Sequence, residues 1–195
     1  MKTLKDKVVL ITGAGKGTGR RLAEELAARG AIIAANDISP INVEEVVENI
    51  QAKGGRAKVF LEDVAKKMGA QMLVKSVEDD LGGIDILINH AAVEPHTPLL
   101  NMDEWDWHRT LDVNLTGAFL TSQSVGRVMR AKGSGVILSL VAGAGKNENE
   151  AGAYLASKAG LAELSRQLAR ELNPDGVLVL TAESFEEALK ALEEA

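Results

Sequence analysis

The run Thr12-Gly13-Ala14-Gly15-Lys16-Gly17-Thr18-Gly19 places four glycines in eight residues. Glycine has no Cβ, so such a backbone can turn tightly and lie close against a bulky anion. The apolar stretch Lys7–Thr12 leads into the run, and a stretch rich in Ala, Leu, Glu and Arg (Gly19–Arg29) follows it. That is the context of a strand-to-helix turn, in which helix N–H groups and the positive dipole end face a pyrophosphate. A plain turn is the alternative for the loop alone. Asp37 ends the next apolar stretch, 18 residues beyond Gly19. A carboxylate there accepts hydrogen bonds from an adenosine ribose and repels a 2′-phosphate, although an aspartate that only caps a turn is also common. Lys16 pulls toward a 2′-phosphate. Asp37 carries more weight, so NAD is expected over NADP.

A second pair is Tyr154 and Lys158, four residues apart in a helix-compatible stretch. Positions i and i+4 share a helix face. An ammonium beside a phenol favours the phenolate and lowers the tyrosine pKa, which would make Tyr154 a general acid/base. Alone, the pair reads as a common surface contact. Its place after a fifth strand in a glycine-loop fold favours the chemical reading.

The elements that must position these groups alternate. Strands are predicted at Lys7–Thr12, Ala31–Asn36, Lys58–Leu61, Ile84–Ile88, Val136–Leu140 and Val177–Leu180. Helices are predicted at Gly19–Arg29, Asn42–Lys53, Ala65–Leu81, Asp103–Lys132, Tyr154–Leu172 and Ser184–Glu194, the last opened by a Ser184/Glu187 capping box. Strands apolar throughout and separated by crossover helices imply a parallel sheet covered on both faces. The expected fold is α/β: a Rossmann-like, doubly wound parallel sheet in a three-layer αβα sandwich, as one domain over residues 1–195.

Composition removes other classes. The net charge of −6 and the lack of a basic block argue against nucleic acid or an anionic membrane surface as partner. The absence of cysteine removes disulfides, thiolate zinc sites and a cysteine nucleophile. His90, His96 and His108 lack metal-ligand spacing, so no metal is expected. No run approaches the ~18 apolar residues of a membrane span. The start of the chain reads as the first strand rather than a leader, and a cytoplasmic location is the default expectation.

The glycine spacing is Gly13-x-x-x-Gly17-x-Gly19 after Thr12, and it resembles the short-chain dehydrogenase/reductase family. Further positions match from about Leu4 to Leu180. Asp63-Val64 resembles the family's adenine-contacting pair. Asn89-His90-Ala91-Ala92 resembles its Asn-Asn-Ala-Gly motif, with His90 and Ala92 substituted; His90 reads as a structural hydrogen bonder rather than a catalyst. Asp112-Val113-Asn114-Leu115-Thr116-Gly117 and Tyr154–Lys158 complete the match. The resemblance implies an oxidoreductase that passes hydride between the nicotinamide of NAD(P) and an alcohol or carbonyl substrate. Tyr154 would move the hydroxyl proton, Lys158 would hold the nicotinamide ribose and tune Tyr154, and Asn114 would tie Lys158 to solvent through a water. The implied cofactor site is Thr12, Gly13, Gly15, Lys16, Gly17, Thr18, Gly19, Asp37, Asp63, Val64, Asn89 and Ala91, with Tyr154 and Lys158. In the family the helices equivalent to 103–132 and 154–172 pack between subunits, which implies a homo-oligomer, a dimer or tetramer.

Two departures temper this. The family's serine at the end of the fifth strand would fall at Val141, or at Ala142 if Ala144-Gly145 is matched, and neither has a hydroxyl. Ser139 lies about 6.6 Å from Val141 along a strand. One lost donor costs about 10²–10³ in rate; Lys146, Asn147 or Asn149 would be the nearby substitutes. In addition, Leu180-Thr181-Ala182-Glu183 leads straight into the last helix, so the substrate-covering loop and a seventh strand are expected to be missing. A catalytically weakened NAD(P)-binding protein, acting as sensor or interaction partner, is therefore the second reading. A shortened scaffold that only folds is the third. No segment encodes the substrate.

Overall fold

Apart from β3, which carries Arg56 and Lys58, the strand runs are largely apolar on both sides, and a sheet covered on both faces satisfies that pattern. The computed structural model, which describes residues 4–143 and 149–195, has this architecture. Strands β1 (Val8–Thr12), β2 (Ile32–Asn36), β3 (Arg56–Phe60), β4 (Ile86–Asn89), β5 (Gly135–Leu140) and β6 (Val177–Ala182) alternate with helices. The helices are α1 (Gly17–Ala28), α2 (Pro40–Ala52), α3 (Lys67–Leu81), α4 (Glu104–Leu111), α5 (Gly117–Lys132), α6 (Gly152–Leu172) and α7 (Phe185–Glu194). The sheet order is β3-β2-β1-β4-β5-β6, with every pair parallel. It is a Rossmann-like three-layer αβα sandwich. Among the described residues no helix is long and apolar enough to cross a membrane.

Side chains alternate between the two faces, as the two-residue period of a strand requires. Val9 and Ile11, Ile33 and Ala35, Ile86 and Ile88, and Val136 and Leu138 pack against α1, α2 and α7. Val8 and Leu10, Ala34, Leu87 and Ile137 pack with α3, α5 and the C-terminal part of α6. The chain winds away from β1 toward β3 on one side and from β4 toward β6 on the other. The crevice between the C-terminal ends of β1 and β4 is where a fold of this type binds ligands.

Several boundaries differ from the sequence reading, for physical reasons. Helix α1 begins inside the glycine run, at Gly17. Helix α2 begins at Pro40, where a fixed φ and a missing N–H suit a first helical turn. The long helix expected over 103–132 is interrupted by a π-turn at Asp112–Thr116 between α4 and α5. The Ser184 hydroxyl accepts the Glu187 N–H at 3.1 Å, as a capping box requires. The Glu187 carboxylate reaches back to the N–H of Glu183, at 2.9 Å, rather than to that of Ser184. Only Glu183 and Ser184 separate β6 from α7, which packs beside α1.

Behind the sheet edge, Asn89 ends β4 with its side chain in a buried polar network. Its amide donates to the Ser122 hydroxyl at 2.8 Å and the Ser139 hydroxyl at 3.4 Å, and its carbonyl accepts from Thr121 at 2.8 Å. Truncating it leaves the buried Ser122 and Ser139 hydroxyls without this partner, while Thr121 keeps its bond to the Gly117 carbonyl. Asn89→Ala is expected to lower the unfolding free energy by about 2–3 kcal/mol. Urea denaturation checks this, and an unchanged midpoint would show that the network relaxes without loss.

Candidate active site

The turn from β1 into α1 is built from backbone held on both sides. Gly17 has a φ of 54°, a left-handed conformation that side chains disfavour, and open space where its side chain would be. Gly19 is a close-approach glycine: a Cβ there would lie 2.5 Å from the His90 ring. Thr12 is buried under the loop. Its hydroxyl donates to the Ile88 carbonyl at 3.4 Å and accepts the N–H groups of His90 and Ala91 at 3.1 and 3.2 Å. This ties the end of β1 to the start of the loop after β4.

Asp37 lies just beyond β2 and is buried. One carboxylate oxygen accepts the Gly15 N–H at 2.9 Å; the other accepts the Ser39 N–H at 3.0 Å. It is thus both a turn-capping aspartate and part of the glycine-loop site. Each oxygen keeps lone pairs for another donor. Asn36 braces the same corner by donating to the carbonyls of Phe60 and Glu62 at 3.1 and 3.0 Å. A cavity of about 660 Å³ opens here, within the range of cofactor sites. Gly13, Lys16, Gly17, Asp37, Asp63, Val64 and Ala91 are on its wall.

Tyr154 and Lys158 lie on the first turns of α6, 7% and 5% exposed. The Lys158 ammonium donates to the Leu140 carbonyl at 2.8 Å and stands 5.4 Å from the centre of the Tyr154 ring. Burial lowers its pKa to about 8, against the opposing charge of Glu94. The tyrosine behaves otherwise than the sequence suggested: burial, with Glu94 adding to it, raises its pKa to about 12. The ammonium faces the ring and binds a carbonyl, so desolvation of the phenolate outweighs it. Asn114, in the π-turn, does not bond Lys158. Its carbonyl accepts the Val93 N–H at 2.8 Å, and its amide donates to the Val93 carbonyl at 2.9 Å and the Ser157 hydroxyl at 3.0 Å. Ser157 in turn donates to the Tyr154 carbonyl at 2.6 Å. Asn114 therefore clasps the loop after β4 to the helix that carries Tyr154.

The structure brings the glycine loop, Asp37, Asp63, Val64 and Ala91 around one cavity. Asn89 is not on that wall, because its side chain serves the buried network. Val141 and Ala142 present no hydroxyl, and that of Ser139 is 1% exposed and bonded by Asn89. Lys146 and Asn147 lie outside the described residues; Asn149 lies within them. Sequence reasoning missed Glu94, whose charge acts on both Tyr154 and Lys158. It also missed His108 and Arg109, which reach the cavity wall from α4. Their only sequence signal is the spacing of Trp105, His108, Arg109 and Asp112 on one helical face.

Comparison with known proteins agrees with the fold. The model of a family described as short chain dehydrogenase matches residues 7–184. An uncharacterized oxidoreductase of Thermotoga maritima is 40% identical over 174 residues, which are 89% of this chain and 68% of that relative. The crystal structure of NAD+-bound xylitol dehydrogenase superposes with a TM-score of 0.87 at 29% identity, covering 99% of this chain and 77% of that one. A metagenomic short-chain oxidoreductase in complex with NADP gives 0.88 at 28% identity, covering 98% and 92%.

Tyr154 is the single tyrosine of the chain, so phenolate absorbance reports it alone. The folded phenol holds its proton more tightly than the unfolded one, from 10.0 to about 12. Its contribution to stability is full below pH 10.0 and is lost as the pH rises through about 12. An alkaline absorbance titration is expected to show a midpoint well above 10.0, lowered by Glu94→Gln. A midpoint below 10.0 would mean that the ammonium outweighs burial.

Proposed function

The chain belongs to the short-chain dehydrogenase family, and from that premise we propose that it is an NAD-dependent oxidoreductase acting on a small alcohol or carbonyl compound. The observation that carries the reading is the buried Asp37 carboxylate held by Gly15, at the junction of the glycine loop and the cavity. That group suits a ribose diol and opposes a 2′-phosphate, so NAD is preferred to NADP. Lys16, on the same wall, is the opposing influence.

The residues fit a dinucleotide. Gly13–Gly19 would face its pyrophosphate, Asp37 the adenosine ribose, Asp63 and Val64 the adenine, and Lys158 the nicotinamide ribose. When bound, the nicotinamide supplies or accepts the hydride. The protein's part is to orient, to hold charge and to move a proton. Tyr154, protonated across the neutral range, donates to the oxygen of a carbonyl as negative charge builds there. This arrangement favours reduction of a carbonyl over oxidation of an alcohol. Lys158 retains most of its charge near neutral pH, and that charge stabilises the same developing oxyanion.

A second reading rests on a specific observation. The Ser139 hydroxyl is committed to Asn89, and Val141 and Ala142 carry none, so the substrate oxygen lacks a serine donor from this strand. The two-residue link between β6 and α7 leaves no substrate-covering segment there. Both support slow turnover, and in the extreme a protein that binds NAD(P) without catalysis.

Single-turnover nicotinamide oxidation with a panel of ketones and aldehydes separates the readings. An enzyme is expected to lose about 10²–10⁴ in rate on Tyr154→Phe while cofactor affinity changes little. No turnover by the unaltered protein would favour the binding protein, and equal rates in both would remove Tyr154 from the catalysis.

A further inference from the structure

His90 follows β4 directly, and its imidazole stands between the two ends of the glycine loop. Nδ1 is 3.0 Å from the Gly13 carbonyl oxygen, and Nε2 is 3.2 Å from the Gly19 nitrogen. A carbonyl only accepts and a backbone N–H only donates. Nδ1 must therefore carry the proton and Nε2 must be bare, so the two partners select one neutral tautomer. The residue is fixed through its own backbone as well, by the bond from its N–H to the Thr12 hydroxyl at 3.1 Å. The Gly19 N–H belongs to the first turn of α1, the turn whose N–H groups attract anions in folds of this kind.

We propose that His90 is a positioning residue for the pyrophosphate: a neutral Nδ1–H imidazole clamps Gly13 to Gly19 and thereby sets the shape of the cradle. The role rests on the dinucleotide reading above. The clamp occupies the Gly19 N–H itself, so the ligand-facing part of the loop lies toward Gly17, which lines the cavity. Because the ring packs against Gly19, that position and His90 form a matched pair.

The clamp has a definite pH dependence. Burial is the largest influence on His90, and with the Lys158 charge from α6 it holds the imidazole pKa below 6.5. Hydrogen bonding of the ring to the backbone of Gly13 and Thr12 and the Asp37 charge from the end of β2 act in the opposite direction. The folded pKa is depressed, so the clamp is complete above pH 6.5 and is lost as pH falls from there through the lower folded value. Protonation would set an Nε2–H donor against the Gly19 N–H and force the loop apart. NADH binding should therefore weaken on acidification. A histidine that instead met the pyrophosphate as a cation would tighten binding over the same range, so the sign of the dependence discriminates.

Two measurements test the proposal. The imidazole nitrogen resonances of protein labelled at histidine, assigned by their loss in His90→Phe, need no cofactor. Near neutral pH they should show a protonated Nδ1 and a bare Nε2. Calorimetric titration with NADH and with adenosine then compares the unaltered protein, His90→Phe and His90→Asn. His90→Phe removes both bonds and is expected to weaken NADH roughly ten- to a hundredfold, leave adenosine within about twofold, and abolish the acid dependence. His90→Asn keeps a donor for Gly13, should fall between the two, and carries the test if His90→Phe does not fold. The proposal is overturned by an Nε2–H tautomer, by unchanged NADH affinity in the variants, by equal losses for NADH and adenosine, or by tighter binding at low pH. Absence of NADH binding by the unaltered protein overturns the dinucleotide reading and this role with it, while the resonances still show whether the clamp exists.

Discussion

The path of the backbone between β1 and α1 depends on contacts from three other segments. His90 bonds both ends of the turn, Asp37 accepts the N–H of its central Gly15, and Thr12 beneath it holds the loop after β4. The His90 and Asp37 contacts require backbone where a side chain would intrude, so Gly13, Gly15 and Gly19 answer to neighbours inside the protein as well as to a ligand outside it. The parallel sheet brings those neighbours together. Thr12 pairs with Asn36 across β1 and β2, and β4 runs along the other side of β1, so the residues just past all three strands meet at one edge. The buried alternation of Val9, Leu10 and Ile11 between two helical layers keeps that edge in place.

The second corner of the site is governed by burial. Tyr154 and Lys158 are both withdrawn from water, which favours the neutral form of each. The phenol moves up and the ammonium down, so their ordinary values of 10.0 and 10.5 separate to about 12 and about 8 in the order opposite to an activated phenolate. An exposed carboxylate, Glu94, adds to the first shift and opposes the second. Asn114 and Ser157 carry no charge but decide where this pair sits, because they join Val93, the π-turn and the start of α6. The two corners communicate through the short segment from His90 to Val93.

Much of this was legible in the residues. The alternation of apolar runs with amphipathic ones identified the sheet and its cover, and the glycine spacing with Asp37 at the end of the second strand pointed to the candidate site. All are local patterns, imposed by sterics or by a two-sided core. What escaped depends on contacts between distant segments. The π-turn at Asp112–Thr116 has no local composition signal; it accompanies the bonds between Asn114 and Val93. Asn89 lies in a motif that suggested cofactor contact, yet strand alternation turns its side chain toward Ser122 and Ser139. His90 was legible as a hydrogen bonder, but its two partners lie more than 70 residues away. The direction of the Tyr154 shift followed from the desolvation of the corner, which spacing on a helix does not reveal.

On the proposed reading, the Asp37 corner of the glycine-loop site takes an adenosine ribose free of phosphate. Parallel calorimetric titrations of the unaltered protein with NADH and NADPH test it most directly. Measurable binding of NADH and at least about tenfold weaker binding of NADPH are expected, the difference being the cost of bringing a 2′-phosphate against a buried carboxylate. Preferential binding of NADPH would mean that Lys16 outweighs Asp37. Binding of neither would overturn the dinucleotide reading.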